Sequence, residues 1–321
     1  MRNTLRTYTT FTKRKDGMRC KVALFGPKSW AIGSINLMLK KHLQKNGFDV
    51  KVCDWGIYKE SKEGLDWCDV FITPPDLLKK IVVNLPYEYK SKGMYVWHSL
   101  AKMPGYSFED SNNHFFVKIP VQKNLQNNYF GITKNTADSV EKTYGVNAGV
   151  LPIGVDTEFW SKRSITRIKK IGHVIDPNNR KEQYVNLKRP WLFKEIAEKA
   201  GLDHGVCFGK SVHTGSYIYS DFDAIVNTST HEGLPTPLLE CAAAKIPFIS
   251  TSVGIVPKYA SVKTFETSEE AAEILKELNS DPDKLKKYVD DVYEDVAMSN
   301  LWSDHVTKHY IPAIEKILEN K

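Results

Sequence analysis

Short apolar runs alternate with amphipathic stretches along most of the chain, at the spacing of strand-helix-strand units. Cys20 to Phe25 (CKVALF) has the pattern of a buried strand that breaks at Gly26-Pro27. Ser34 is placed to cap a helix carrying Ile35, Leu37, Met38, Leu39 and Leu43, which Gly47 ends. Phe48 to Cys53 alternates and forms the next strand, completing a β-α-β unit. Further strands are predicted at Asp69 to Thr73, Met94 to Trp97 and Tyr129 to Thr133, the last leading into a helix near Thr136 to Tyr144.

The second half repeats this grammar. Strand patterns lie at Lys170 to Val174, Val206 to Phe208, Ala224 to Asn227 and Pro247 to Thr251. Helical patterns run through Trp191 to Ala200, Pro235 to Ala244, Ser268 to Leu278 and Lys284 to Val296. Thr267 to Glu270 fits a capping box, and Asp281-Pro282 places a cap before a first-turn proline. Trp302, Val306, Tyr310, Ile314, Ile317 and Leu318 form one stripe on a last helix. Strand-helix alternation in both halves predicts two open α/β domains with doubly wound parallel sheets facing a cleft. The expected boundaries are a basic extension at 1–17, domains at 18–153 and 154–300, and a helix at 301–321 that returns to the first domain.

Composition narrows the classes. A chain of 321 residues suits two domains, and no repeat or low-complexity tract appears. The five cysteines are scattered without a CxxC pair, which suggests thiols in a reducing compartment. No apolar run approaches the length of a spanning helix, and the N-terminus lacks the apolar core of a secretory signal. The expected location is cytoplasmic, with peripheral membrane attachment open. Charge is asymmetric: residues 1–153 hold 23 Lys and Arg against 13 Asp and Glu, whereas the remainder holds 22 against 25. The basic half suits solubility alone, or an anionic partner such as a membrane surface or nucleic acid. Residues 1–17 are either a disordered extension, an upstream start before Met18, or a basic arm.

The densest chemistry lies in Asn227 to Gly254, NTSTHEGLPTPLLECAAAKIPFISTSVG. A buried strand delivers small polar residues, His231-Glu232-Gly233-Leu234 forms a loop, and a helix opens at Pro235. That arrangement turns backbone N–H groups and a helix dipole toward a site where a diphosphate can bind. Glu232 and Glu240 can accept hydrogen bonds from hydroxyl groups at two points of an extended ligand. Taken alone, the same spacing also describes a solvated helix residue and a first-turn stabiliser.

This segment resembles the donor-site motif of the GT-B glycosyltransferases, closest to the retaining group called glycosyltransferase family four (glycosyl transferases group 1). Glu232, Gly233, Glu240, Ala242, Ala243, Pro247, Val253 and Gly254 match the pattern, while Lys245 replaces the glycine usual before the proline. Tyr144-Gly145 with Pro152, Gly154, Val155, Asp156 and Phe159 resembles the family's interdomain signature. The resemblance implies a GT-B fold and a nucleotide-diphosphate sugar as co-substrate, with no resident cofactor and no metal. It implies that Glu232 serves the sugar, Glu240 the ribose, and the backbone of Gly233 and Leu234 the phosphate or sugar. His231 would line the donor pocket. His173 stands where the family has an arginine, so Arg180 and Lys181 are the candidate diphosphate clamp. His98, ending a strand of the first domain, is the candidate residue near the donor sugar and acceptor. Asp221-Phe222-Asp223 has the spelling of a metal-binding DxD but the position of a strand lead-in.

The function expected from these residues is retaining transfer of a hexose-type sugar to a hydroxyl acceptor, a glycan, lipid-linked glycan or other. No internal carboxylate is an obvious nucleophile, so the resemblance implies same-face displacement in which the leaving phosphate takes the acceptor proton. Two alternatives stay open: a DNA-modifying glycosyltransferase, and a degenerate GT-B protein that binds nucleotide sugar without catalysis.

Overall fold

The computed structural model describes residues 18–26, 30–54, 56–74, 86–98, 123–208 and 218–319, and the 1–17 segment lies outside them. The chain divides into two compact units. The first holds the described residues up to Trp97, those as far as Leu151, and Trp302 onward; the second holds His98 and Pro152–Leu301.

The first unit is a six-stranded sheet with every pairing parallel. Its elements are β1 (Lys21–Gly26), α1 (Trp30–Lys45), β2 (Asp49–Asp54), α2 (Tyr58–Trp67), β3 (Val70–Thr73), α3 (Tyr87–Lys90), β4 (Gly93–Trp97), β5 (Tyr129–Gly131), α4 (Lys134–Tyr144) and β6 (Ala148–Val150). The strand order is β2-β1-β3-β4-β5-β6. Central strands are apolar apart from Lys21 and Thr73 at their ends because both faces are covered, whereas the edge strand β2 buries only Val50 and Cys53. Phe25, Phe71, Tyr95 and Tyr129 form an aromatic ladder across four neighbouring strands, with ring centroids 5.7–5.8 Å apart. Gly131 cannot carry a side chain, since a Cβ would stand 2.3 Å from the backbone nitrogen of Ala137. That close approach lets Thr133 cap α4 by accepting from the Thr136 N–H.

Two local expectations change. Ser34 lies inside α1, which begins a turn earlier at Trp30. The helix α2 has a weak apolar signal, burying only Ser61, Gly64 and Leu65, and sequence pattern does not reveal it.

The second unit is a five-stranded parallel sheet in the order β11-β10-β9-β7-β8. It comprises β7 (Lys170–Val174), α5 (Glu182–Lys188), α6 (Pro190–Ala200), β8 (Asp203–Cys207), β9 (Ala224–Asn227), α7 (Thr236–Ala244), β10 (Phe248–Thr251), β11 (Thr264–Phe265), α8 (Ser268–Asn279) and α9 (Pro282–Val292). The β8 strand starts earlier than its apolar residues suggest. It is an edge strand that pairs only with β7, so backbone register sets its limits and Val206 stays exposed. Thr267 and Glu270 form the full capping box at α8, and Asp281 caps α9 ahead of Pro282.

The C-terminal segment consists of α10 (Trp302–His305), a π-turn over Val306–Tyr310 and α11 (Ile311–Glu319), packed on α1 and β3 of the first unit. Trp302, Val306, Tyr310 and Ile314 repeat every fourth residue and are all buried. A regular helix of 3.6 residues per turn carries that spacing off its face, and the wider π-turn restores it.

Lys245 ends α7 in the left-handed region at φ 55°, the conformation a glycine adopts most easily. Its ammonium compensates by pairing with Asp290 at 2.5 Å and lying 4.8 Å from the Tyr293 ring centre. Left-handed backbone costs a non-glycine residue about 1–2 kcal/mol, and a partly exposed pair returns up to about 1 kcal/mol. Lys245→Gly is therefore expected to match the wild-type stability within about 1 kcal/mol, and Lys245→Ala to fall about 1 kcal/mol below Lys245→Gly. Urea denaturation of the three proteins checks the order.

Candidate functional site

The polar cluster of the second unit forms where β9 ends. The carbonyl oxygens of Thr228 and Ser229 leave the sheet buried and need donors. Arg189 supplies them, with Nε 2.7 Å from Thr228 O and Nη2 3.4 Å from Ser229 O, while the Thr251 hydroxyl donates to Ser229 O at 2.6 Å. Arg189 reaches this position from the junction of α5 and α6, where it adopts φ 46° before Pro190.

That junction also delivers Lys188. Its ammonium lies 2.5 Å from Glu232 Oε1 and 3.4 Å from Ser229 Oγ. Ser229 Oγ donates to Glu232 Oε1 at 2.8 Å, and Asn227 stands behind it, linked to Ser250 Oγ at 3.0 Å. Both members of the Lys188–Glu232 pair are about one-fifth exposed, so the pair faces the surface without being freely solvated. The loop that carries Glu232 is fixed by backbone contact. The Ile255 N–H donates to Gly233 O at 3.2 Å. A Cβ on Gly254, which has φ 55°, would come within 2.5 Å of the Glu232 and Gly233 carbonyl oxygens. Gly233 and Leu234 are buried, and His231 is half-buried beside them.

The α7 helix then begins without a side-chain cap. Pro235 and Pro237 contribute no N–H, so the amide donors at this end belong to Gly233, Leu234 and Thr236. Glu240 follows within the same helix. The Tyr219 hydroxyl donates to Glu240 Oε2.

Arg180 and Lys181, the candidate diphosphate clamp, lie apart from this cluster. Both are exposed on a loop organised by Asp176, whose carboxylate accepts from the Asn178 N–H at 2.9 Å, and neither makes an ion pair with Glu232 or Glu240. The cation beside Glu232 is Lys188. The dipeptide Lys188-Arg189 directly before Pro190 was its only signal in the sequence. His173, a candidate donor-site residue by its position in the motif, is 1% exposed, with its ring 4.8 Å from that of Phe193. The Thr228 hydroxyl donates to Lys188 O at 2.6 Å, so His173 Nε2, 3.1 Å away, carries the proton and donates to Thr228 Oγ1. The bare Nδ1 has no hydrogen-bond partner. Burial, with Lys188 adding to it, pushes the imidazole down to about 3, so His173 braces Thr228 as a neutral group and supplies no charge.

His98 is half-buried immediately after β4, and burial lowers its imidazole to about 4. Asp223 is occupied by the backbone, accepting from the Lys169 and Lys170 N–H groups at 2.9 and 3.0 Å. Among the described residues no group of three or more His, Cys, Asp and Glu could hold a metal ion, and all five cysteines are buried thiols. Among the same residues no helix is long and apolar enough to cross a membrane.

Burial raises the Glu240 carboxyl to about 7, although one edge of the residue reaches solvent, and the Tyr219 hydrogen bond acts in the opposite direction. A carboxyl raised on folding favours the fold below its ordinary value of 4.5, and this contribution is lost as pH climbs through about 7. Glu240→Gln removes the dependence. Relative to wild type, the variant is expected to gain about 2 kcal/mol of stability on going from pH 5 to pH 8. Denaturant titrations at both pH values measure this, and an equal difference at each would show that Glu240 titrates ordinarily.

Residues 188–308 match the family model described as glycosyl transferases group 1. No curated protein matches the sequence. Among solved structures, sucrose-phosphate synthase from Thermosynechococcus elongatus aligns with TM-score 0.66 at 10% identity, over 94% of this chain and all of that one. HepE from Anabaena, in complex with UDP-glucose, aligns with TM-score 0.58 at 11% identity, over 94% of this chain and 98% of that one. An α-glucosyltransferase bound to UDP and a 13-mer DNA aligns with TM-score 0.57 at 12% identity, over 92% of this chain and 99% of that one. With two parallel-sheet units, a matched domain that begins at Lys188 and these structural relatives, the chain has the GT-B fold and resembles, over residues 188–308, the glycosyl transferases group 1.

Proposed function

We propose that the protein is a retaining glycosyltransferase that takes a hexose-type sugar from a nucleoside-diphosphate donor. The observation that carries this reading is the Lys188–Glu232–Ser229 cluster at the uncapped start of α7, with Glu240 further along the same helix. Glu240 accepts from the ribose hydroxyls, and Glu232 faces the sugar. The amides of Gly233, Leu234 and Thr236 meet the phosphates. With two prolines in this turn, the helix end offers few donors, so a mobile cation has to share the load. Lys188 fits that role. In the free protein its charge is held by Glu232; an arriving diphosphate takes it over and leaves the carboxylate to the sugar.

The chemistry then rests on charge. As the glycosidic bond breaks, electrons move onto the diphosphate, and Lys188 with the backbone amides stabilises them. Glu232 stabilises positive character on the sugar. His231 lines the pocket and His98 lies toward the acceptor. The acceptor oxygen bonds to the anomeric carbon on the face from which the phosphate departs and passes its proton to the departing phosphate oxygen, so the anomeric configuration is kept. No metal is assigned to this cycle, and turnover is expected to persist in EDTA.

The acceptor is a hydroxyl group of a glycan, lipid-linked glycan or other molecule. The excess of basic residues over 1–153 favours an anionic acceptor, at a membrane surface or on nucleic acid, and acceptor binding that weakens steeply with salt would support it. The donor reading is tested by sugar release from UDP-, GDP-, ADP- and TDP-sugars. Lys188→Gln should lower release from the preferred donor about 100-fold or more, whereas Arg180→Gln and Lys181→Gln should change it by less than about threefold, as expected of exposed charges. Large losses in Arg180→Gln and Lys181→Gln with little change in Lys188→Gln would return the clamp to Arg180 and Lys181; no release and no binding of any donor would favour a degenerate protein.

A further inference from the structure

We infer that Tyr219 is a positioning residue for nucleoside recognition: its hydroxyl holds the Glu240 carboxylate in the orientation that meets a ribose diol. The inference rests on the reading of Glu240 as the ribose ligand and adds the residue that makes that ligand selective. Tyr219 is 1% exposed, so its phenol acts on a nucleoside only through the carboxylate it touches.

Both ends of this hydrogen bond are fixed by the same neighbour. Arg163 Nη1 donates to Tyr219 O at 3.2 Å and also to Phe222 O, anchoring the turn that carries the tyrosine. The Arg163 N–H donates to Ala244 O at 2.9 Å, at the end of the helix that carries Glu240. The Trp160 ring lies tilted 6.0 Å from the phenol, centre to centre. Tyr219 and Glu240 are thus held in register by Arg163, whose side chain and N–H bind backbone carbonyls at both ends without depending on the bond between them.

The geometry has a chemical consequence. A glutamate carboxylate on three rotatable bonds samples many planes, whereas the two hydroxyls of a cis-diol require one. The tyrosine hydroxyl occupies one lone pair of Oε2 and fixes the plane. Oε1 and the remaining Oε2 lone pair are left to accept two donors. A 2′- or 3′-deoxynucleotide has only one such donor and gains little from a fixed plane. The contribution of Tyr219 is therefore expected in the discrimination between ribose and deoxyribose.

The test compares wild type, Tyr219→Phe, Tyr219→Met, Glu240→Gln and the Tyr219→Phe/Glu240→Gln double variant of the full chain. The ligand is whichever of UDP, GDP and ADP the wild type binds most tightly, together with its 2′-deoxy and 3′-deoxy forms, titrated by calorimetry. The expected results are about tenfold wild-type preference for the ribonucleotide, reduced to about threefold or less in Tyr219→Phe and Tyr219→Met, with deoxynucleotide affinity unchanged within twofold. The double variant should discriminate no less than Glu240→Gln alone, because the two residues act as a unit. Equal weakening of ribo and deoxy forms with a lower melting temperature would make Tyr219 a packing residue and overturn the inference. Unchanged discrimination in both tyrosine variants would overturn it as well. A wild type without ribose preference, or one that binds none of the three nucleotides, would overturn the ribose reading of Glu240 itself.

Discussion

Where β9 ends, two buried carbonyl groups lose their sheet partners, and the rest of the site follows from how they are satisfied. A parallel strand can finish in polar residues only if something donates to Thr228 O and Ser229 O. Arg189 does so from the α5–α6 junction, and it must adopt left-handed backbone there to reach them. The residue before it, Lys188, is then carried to Glu232. On the other side, the Thr251 hydroxyl closes on Ser229 O, and Gly254 lets the following loop press against the Glu232 and Gly233 backbone. One structural requirement thus brings a lysine, a glutamate and a row of backbone amides to the same end of the sheet.

The charges of the cluster are arranged so that each is answered before any ligand arrives. Lys188 neutralises Glu232, while His173 behind them remains uncharged because it is enclosed and its Nε2 proton is engaged by Thr228. An arginine at position 173 would bring a further fixed positive charge into this layer beside Arg189; a neutral histidine leaves Lys188 as the cation paired with Glu232. Glu240 is treated differently. It has a phenol rather than a cation as its partner, and burial raises its proton affinity into the physiological range. Two glutamates of one motif are therefore held by different partners, a lysine for Glu232 and a phenol for Glu240.

The legibility of the chain follows the same division. The sheets were readable because buried parallel strands are apolar runs, and the helix caps at Thr267 and Asp281 were readable because capping is local. The Glu232–Glu240 spacing could be quoted directly from the sequence. What escaped depends on tertiary contact. Lys188 sits at the end of a short helix whose position is fixed by carbonyls some 40 residues later, as its separation of 44 residues from Glu232 shows. Tyr219 belongs to no periodic pattern, and its partner is 21 residues away. Burial of His173 cannot be read from Gly172-His173-Val174, and α2 lacked enough apolar residues to announce a helix. Lys245 is the converse case. The sequence marked it as a departure, and the structure shows the turn retained at φ 55° with Asp290 as its support.

The account stands or falls on where a nucleotide binds. A crystal structure of the chain with the nucleoside diphosphate it binds most tightly addresses this directly. The account predicts the ribose hydroxyls on Glu240, the phosphates against the Gly233, Leu234 and Thr236 amides, and Lys188 turned from Glu232 to the terminal phosphate. A nucleotide bound away from α7, or one seated there with the Lys188–Glu232 pair intact, would contradict it.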